Sequence, residues 1–216
     1  FFSILKGTIS MTETDWRQTP LGHLDIAAQA IADPDLQDAG TVLTELGFRG
    51  QIILRGDSTA SAFCSSVEEI VGFGPPVEPT TANGGTGFPR LLWLGPNEWL
   101  LVTKDALRTK TAERLAAALA GQHVQLLDVS DSRAVIGLRG LRARNVLLKG
   151  CPLDLHPRVF RARFSTRTVV GRVQIILHQI KETPEYEIYV HRSFAEYLWA
   201  WLEDAGLEYG VRIARA

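Results

Sequence analysis

Two side chains of the nucleophile and base types lie close together after residue 150. Cys151 is followed five residues later by His156. A thiol beside an imidazole can act as an activated nucleophile when the two side chains lie within hydrogen-bond reach. Closeness in sequence does not establish that geometry. We therefore expect Cys151 to be a packed or simply exposed thiol and not a catalytic one.

The histidines do not show the spacing of a metal site. They are scattered along the chain, at His23, His123, His156, His178 and His191. His178 lies in an alternating apolar segment, so we expect a half-buried, hydrogen-bonded imidazole. From these residues the sequence predicts no catalytic, cofactor-binding or metal-ligating position in this chain.

Arginine is concentrated between residues 139 and 172. A face of guanidinium groups can hold a carboxylate or phosphate through paired hydrogen bonds, for example the glutamyl tail of a folate. Arginine is also enriched at protein interfaces, and a solvated surface is a third interpretation. We favour a subunit interface formed by Arg139, Arg142, Arg144, Arg158, Arg161, Arg163, Arg167 and Arg172.

Composition excludes several classes of function. The chain has 216 residues, is 45% hydrophobic and 22% charged, and carries a formal net charge of −1. That balance provides no basic field for nucleic acid or anionic lipid, and the apolar runs have only the length of a strand. Two cysteines are too few for a disulfide framework and favour a reducing compartment. We therefore expect a cytoplasmic protein with no nucleic-acid or membrane partner.

The elements that position these residues are clearest between residues 127 and 157. The apolar run 134–138 predicts a strand. Residues 141–149 predict a helix with Leu141 on its inward side. Gly150 stands where a left-handed helix cap is expected, and Pro152 prevents further helix. This stretch should therefore form a strand, a short helix and a sharp stop.

The same order of elements occurs twice. Leu-Arg-Gly at 54–56 recurs at 138–140, 84 residues later. In each half a helix, a hairpin and a second helix follow, with the hairpins predicted at 90–102 and 169–190. Such a duplication predicts one body with pseudo-symmetric halves. We divide the chain into an N-terminal extension or arm (1–20), a first half (21–122) and a second half (123–216).

The predicted fold class is α+β, with an antiparallel sheet and covering helices in each half. The two Leu-Arg-Gly strands are apolar with little alternation, which is typical of strands covered on both faces. We expect both to lie in one continuous core. Residues 1–10 precede Met11 and are expected to be an upstream extension. Residues 23–31 are compatible with a short helix, and residues 41–48 with either a strand or a helix.

Several strings resemble known families. Asp-Val-Ser-Asp-Ser-Arg at 128–133, followed by the strand and helix, resembles the aminomethyltransferase family. The strings at 149–157, 92–102 and 197–202 are similar to the gamma-subunit family of heterotetrameric sarcosine oxidase. This second resemblance covers roughly residues 22–205, nearly the whole chain. It implies an internally duplicated folate-binding, aminomethyltransferase-like fold.

The chain departs from the enzymatic relatives where their chemistry is carried out. They place an acidic residue in the region that here reads Val-Gly-Arg-Val-Gln at 170–174, and of their Asn-Asp element only Asp154 could correspond. Without that carboxylate, nothing obvious handles a proton at the reacting nitrogen. The resemblance thus implies a non-catalytic gamma subunit that assembles with and stabilises the large subunit.

What the resemblance implies about the complex is specific. The complex would oxidatively demethylate sarcosine to glycine, with hydrogen peroxide and either formaldehyde or methylenetetrahydrofolate as the other products. The partners would be the alpha, beta and delta subunits, chiefly alpha. FAD, FMN, NAD and tetrahydrofolate would belong to those subunits, and this chain would bind none. Two alternatives stay open: a stand-alone folate-binding protein and a divergent aminomethyltransferase.

Overall fold

The computed structural model describes residues 17–26 and 40–215. The strands in these ranges are β1 Thr41–Glu45, β2 Arg49–Arg55, β3 Ala82–Asn83, β4 Arg90–Gly95, β5 Glu98–Lys104, β6 Gln125–Asp128, β7 Arg133–Arg139, β8 Ser165–Val170, β9 Val173–Lys181, β10 Glu185–His191 and β11 Val211–Ala214. The α-helices are α1 Ser61–Val71, α2 Arg108–Ala118, α3 Ala143–Leu148 and α4 Ala195–Gly206.

The strands form two sheets that pack against each other. The six-stranded sheet has the order β11-β1-β7-β10-β9-β8, and the five-stranded sheet has the order β3-β4-β5-β2-β6. Helices α3 and α4 cover the outer face of the six-stranded sheet, and α1 and α2 cover that of the five-stranded sheet. The result is a mixed α+β body with the layers helix, sheet, sheet and helix, which confirms the predicted fold class.

Each half lends its first strand to the sheet of the other half. Strand β1 pairs with β7 in the six-stranded sheet, and β6 pairs with β2 in the five-stranded sheet. The exchange continues beyond the strands, because Leu46 N donates to Val135 O at 3.0 Å and Val129 N donates to Gln51 O at 2.8 Å. The division of the chain at residue 122 stays a prediction. Both sheets contain strands from either side of it.

The buried apolar side chains form three clusters, so the expectation of one continuous core is wrong. Leu54 lies in the cluster beneath α1 and α2, and Leu138 lies in the cluster beneath α3 and α4. Ile53 and Val135 meet in a third cluster between the sheets, which we call the middle layer. Successive side chains of a strand point to opposite faces, so each Leu-Arg-Gly strand contributes to two layers.

The helix predicted at 141–149 begins only at Ala143. Leu141 therefore precedes the helix and is 79% exposed, whereas it was expected to face inward. Gly150 does not adopt the expected left-handed conformation. It is required by close packing instead, because a Cβ there would lie 2.4 Å from a ring atom of Trp201. The left-handed glycine of this stretch is Gly140, with φ +118°, where the chain leaves β7.

The second hairpin differs from its prediction in one respect. The segment 169–179 is not one strand, because a turn at Gly171, with φ +58°, separates β8 from β9. Strand β8 is an edge strand with polar side chains, and that composition hid it from pattern reasoning. The ambiguous segment 41–48 contains the strand β1.

The longest of the described helices is α4, with 12 residues. No helix in the described ranges is long and apolar enough to cross a bilayer.

Only part of the predicted N-terminal segments is described. Residues 1–16 and 27–39 lie outside the described residues, and with them most of the extension and of the helix expected at 23–31. Arg17 binds both Asp105, at 2.6 Å, and Asp131, at 2.7 Å, while its guanidinium stacks 3.9 Å from the ring centroid of Phe48. The last residues of the predicted arm are thus held against both halves of the chain.

Candidate functional site

Cys151 and His156 have different surroundings and different hydrogen-bond partners. Cys151 is buried beneath α3 and α4, and its Sγ lies 3.7 Å from Thr168 Oγ1. His156 is exposed, and its Nδ1 accepts a hydrogen bond from Arg158 N at 3.2 Å. Asp154 accepts from His156 N at 2.9 Å and so stabilises a surface turn. Of the two outcomes expected for Cys151, a packed or an exposed thiol, the structure shows the packed one.

The arginines between residues 139 and 172 do not share one face. Arg167 forms an ion pair with Glu98 at 2.5 Å. The guanidinium of Arg142 lies 5.9 Å from the ring centroid of Tyr209, and that of Arg161 lies 5.4 Å from that of Phe164. The segment contains the end of β7 and all of α3 and β8, so its arginines are distributed over several surfaces. A single arginine-rich face is therefore not formed.

His178 lies within the middle layer and is more deeply buried than predicted. It is 2% exposed and stands opposite Glu187 in the pairing of β9 with β10. Its Nδ1 has no hydrogen-bond partner among the described residues, contrary to the expected half-buried, hydrogen-bonded imidazole. Burial, reinforced by the charge of Arg90, lowers the pKa of His178 to about 3. The imidazole is therefore neutral near pH 7.

A buried ion pair joins the two sheets next to His178. Arg90 of β4 is 1% exposed, and its Nη2 donates to Glu187 Oε1 at 2.9 Å and Oε2 at 2.7 Å. Tyr189 Oη donates to the same carboxylate at 2.5 Å. The guanidinium also lies 4.7 Å from the ring centroid of Phe88. We call Arg90, Glu187, Tyr189 and His178 the interior polar cluster.

The electrostatics of this cluster favour one protonation state. Burial works to lower the pKa of Arg90, but the acidic groups of Tyr189 and Glu187 outweigh it, and the pKa is raised overall. Burial, together with the charge of Glu187, raises the pKa of Tyr189 well above its usual value. At neutral pH the cluster thus consists of a charged guanidinium, a neutral phenol that donates its proton and a neutral imidazole.

This arrangement suits a structural role better than a chemical one. Both oxygens of Glu187 accept hydrogen bonds inside the protein, and its carboxylate is paired with a cation. A buried, hydrogen-bonded ion pair of this kind specifies how the two sheets pack, because any other arrangement would leave one charge unpaired. Within the described ranges, no group of three or more His, Cys, Asp or Glu side chains could hold a metal ion.

Sequence reasoning missed three members of the interior polar cluster. Arg90 and Glu187 are 97 residues apart, and nothing local connects them. The available signal was a charged residue in a strand that is otherwise apolar on both faces. Arg90 begins the run Arg-Leu-Leu-Trp-Leu, and Glu187 interrupts Tyr-Glu-Ile-Tyr-Val. Opposite charges in two such strands of a duplicated fold are a reason to expect an ion pair between them.

The layered duplicated body defines a class of protein. Its architecture matches the glycine cleavage system aminomethyltransferase T from Bartonella henselae with a TM-score of 0.66, covering 92% of this chain and 59% of that one. At 16% identity this likeness shows the aminomethyltransferase fold alone. Residues 55–208 match the model of the sarcosine oxidase, gamma subunit family. The chain belongs to this family.

Individual relatives match this chain over nearly its full length. The sarcosine oxidase subunit gamma of Corynebacterium sp. (strain P-1) is 35% identical, over 91% of this chain and 93% of that protein. A chain of the heterotetrameric sarcosine oxidase from Corynebacterium sp. U-96, solved in complex with pyrrole 2-carboxylate, is 30% identical with a TM-score of 0.79. That match covers 89% of this chain and 96% of the other.

Proposed function

We propose that this chain is the gamma subunit of a heterotetrameric sarcosine oxidase and that it takes no direct part in catalysis. The observation that carries the proposal is its match to almost the whole of one chain of a solved heterotetrameric enzyme, with a TM-score of 0.79. The complex oxidatively demethylates sarcosine to glycine and hydrogen peroxide. The one-carbon unit leaves as formaldehyde or passes to tetrahydrofolate.

The role of this chain is assembly and stabilisation of the large alpha subunit. Three contacts support this role: Cys151 packs beneath α3 and α4, His156 is hydrogen-bonded in a surface turn, and the carboxylate of Glu187 is bound within the protein. The beta and delta subunits complete the assembly. FAD, FMN, NAD and tetrahydrofolate belong to the other subunits. A cytoplasmic location fits the two free thiols, Cys64 and Cys151.

Exposed apolar side chains near α3 and α4 supply surface for a partner. The two helices contact each other, with Lys149 Nζ donating to Ala205 O at 2.5 Å. Leu148 is 51% exposed, Leu207 is 68% exposed and Phe194 is 48% exposed. Apolar side chains of this size, when clustered on a surface, are characteristic of protein interfaces. Burial of such side chains in the complex would make its stability insensitive to moderate salt.

The test is co-expression of this chain with the tagged flavin-bearing subunits. We expect the chain to co-purify in stoichiometric amount and to stay bound in moderate salt. Leu148→Glu should reduce the recovered complex, whereas Val77→Glu, at a 64% exposed position of the first half, serves as the matched control. A monodisperse, stable monomer that does not bind these subunits would contradict the proposal. Saturable binding of tetrahydrofolate to the isolated chain would favour the folate-binding alternatives instead.

A further inference from the structure

A cavity of about 300 Å³ opens on the six-stranded sheet, on the face that also carries the middle layer. It lies where β10 ends and β7 begins, so Arg133 and His191 stand side by side across the two strands. Strands β8 and β9 complete the walls. The lining side chains that matter here are Arg133, Arg167, Val169, Ile176, Tyr189 and His191.

The cavity holds more positive charge than the neighbouring carboxylate can balance. Glu98 binds Arg167 at 2.5 Å and Arg55 at 3.4 Å, so its two oxygens already serve two cations. Arg133 has one polar side-chain contact, from its Nη1 to Ser132 Oγ at 3.5 Å, and pairs with no carboxylate within the described residues. Its charge is therefore available to a ligand.

The electrostatic environment of Arg133 shows the same excess of positive charge. Partial burial and the charge of Arg167 lower the pKa of Arg133, and Glu98 opposes this effect only in part. A guanidinium nevertheless stays charged in a protein. The repulsion between the two arginines would be relieved by an anion placed between them.

The remaining walls combine apolar side chains with the polar side chains of Thr168, Gln174 and His191. Ile176 is 3% exposed, and Val169 is 37% exposed at the rim. Tyr189 presents its ring, since its hydroxyl is bound to Glu187. A ligand that fits these walls has an apolar body beside its charge. A volume of about 300 Å³ lies at the lower end of the range for small-molecule sites.

We propose that this cavity is a binding site for a small organic acid, whose carboxylate is held by Arg133 and Arg167 and whose apolar body rests on Ile176 and Val169. A guanidinium recognises a carboxylate through two parallel hydrogen bonds, which gives direction as well as strength. Partial exclusion of water by the apolar walls strengthens that pairing. The site shares Tyr189 with the interior polar cluster but not the carboxylate of Glu187, which is already occupied.

The test is a titration of the full chain with sodium benzoate, followed by NMR with only this chain isotope-labelled. Labelling one chain keeps the readout on this site when the chain is studied inside its complex. At constant ionic strength, we expect saturable shifts of the Val169 and Ile176 methyl signals. Benzamide, which is uncharged and has the same shape, should bind at least tenfold more weakly.

Two variants and one control make the assignment specific. Arg133→Gln should weaken benzoate binding at least tenfold, while Arg172→Gln, at an exposed position in the turn between β8 and β9, should leave it unchanged. Val169→Glu places a carboxylate at the rim without altering either arginine, and it should also abolish binding. Circular dichroism checks that each variant is folded.

The proposal is overturned if benzamide binds as well as benzoate, or if the two variants bind benzoate like the unaltered chain. Shifts that do not saturate, or that occur away from the cavity, would overturn it equally. None of these outcomes bears on assembly, because co-purification with the other subunits does not depend on the cavity being filled.

Discussion

The two halves of the molecule place different chemistry at equivalent positions of the middle layer. In the five-stranded sheet, Leu100 lies opposite Ile53 and pairs with Leu92 on its other side. In the six-stranded sheet, Glu187 lies opposite Gly137 and pairs with His178. Ile53 and Gly137 are themselves related by the 84-residue repeat. The first half therefore has two leucines where the second has a carboxylate and an imidazole.

The partner of that carboxylate shows how the symmetry is broken. Arg90 lies opposite Val102, and the equivalent pair in the second half is Ile176 with Tyr189. Each half thus contributes one charged departure from its copy, and the two charges neutralise each other as an ion pair. A duplicated fold can keep its architecture while its interior becomes specific, provided that charged substitutions arise in compensating pairs.

The largest expected effect comes from breaking this compensation on one side only. Glu187→Leu copies the residue of the first half but leaves Arg90 buried and unpaired. We expect it to lower the free energy of unfolding by about 3–5 kcal/mol. Urea denaturation of the purified chain measures the change.

The double variant Arg90→Ile/Glu187→Leu sharpens the comparison. It replaces both charged side chains with the apolar residues found at the equivalent positions of the other half. We expect most of the loss to be recovered, since hydrophobic replacement of a buried ion pair is often neutral or stabilising. The single variant Arg90→Ile completes the comparison. If the loss of stability in the double variant equals the sum of the losses in the two single variants, the ion pair is not the reason for the cost of Glu187→Leu.

A second comparison concerns the outer clusters. Leu54 and Leu138 are fully buried at equivalent positions beneath different helices. Either change to alanine should cost about 2–5 kcal/mol. The exchange of β1 and β6 ties the sheets together, so each variant should still unfold in a single cooperative transition. Limited proteolysis of Leu138→Ala checks this. Survival of an intact N-terminal half would show that the halves fold independently.

The third expected effect depends on pH. The unfolded chain binds a proton at His178 below about pH 6.5, whereas the native pKa is about 3. The unfolded state therefore binds more protons between these values, and stability is lost as the pH falls. From pH 6.5 to 5 the loss should be about 2 kcal/mol. His178→Leu, which copies Leu92, should remove this part of the pH dependence. Urea denaturation at several pH values measures the free energy of unfolding of both chains. If this free energy falls equally steeply with pH in the unaltered chain and in His178→Leu, the prediction is wrong.

The smallest effect is expected on catalysis. Cys151→Ala and His156→Ala remove the side chains that first suggested a nucleophile and a base. Because Cys151 is buried, His156 is exposed and each is bound to another group, the turnover of the assembled complex should stay within about tenfold, or roughly 1.4 kcal/mol in barrier. A loss of several orders of magnitude with assembly intact would assign chemistry to this chain.

Local sequence determined the elements and their repetition. The strand at 134–138, the helices after each Leu-Arg-Gly and the hairpin at 90–102 follow from apolar periodicity and from glycine and proline at the boundaries. These signals act over a few residues, so a single sequence suffices to interpret them. For Cys151 the sequence predicted a thiol without a catalytic role but left a packed and an exposed position open.

Only the tertiary structure decided which strands share a sheet and which charges meet. The exchange of β1 and β6 and the pair Arg90–Glu187 join residues that are distant in the chain. A strand's own pattern specifies which face is apolar but not which strand lies beside it. The same limit explains Arg133 and Arg167, which belong to different strands of the six-stranded sheet and line one cavity.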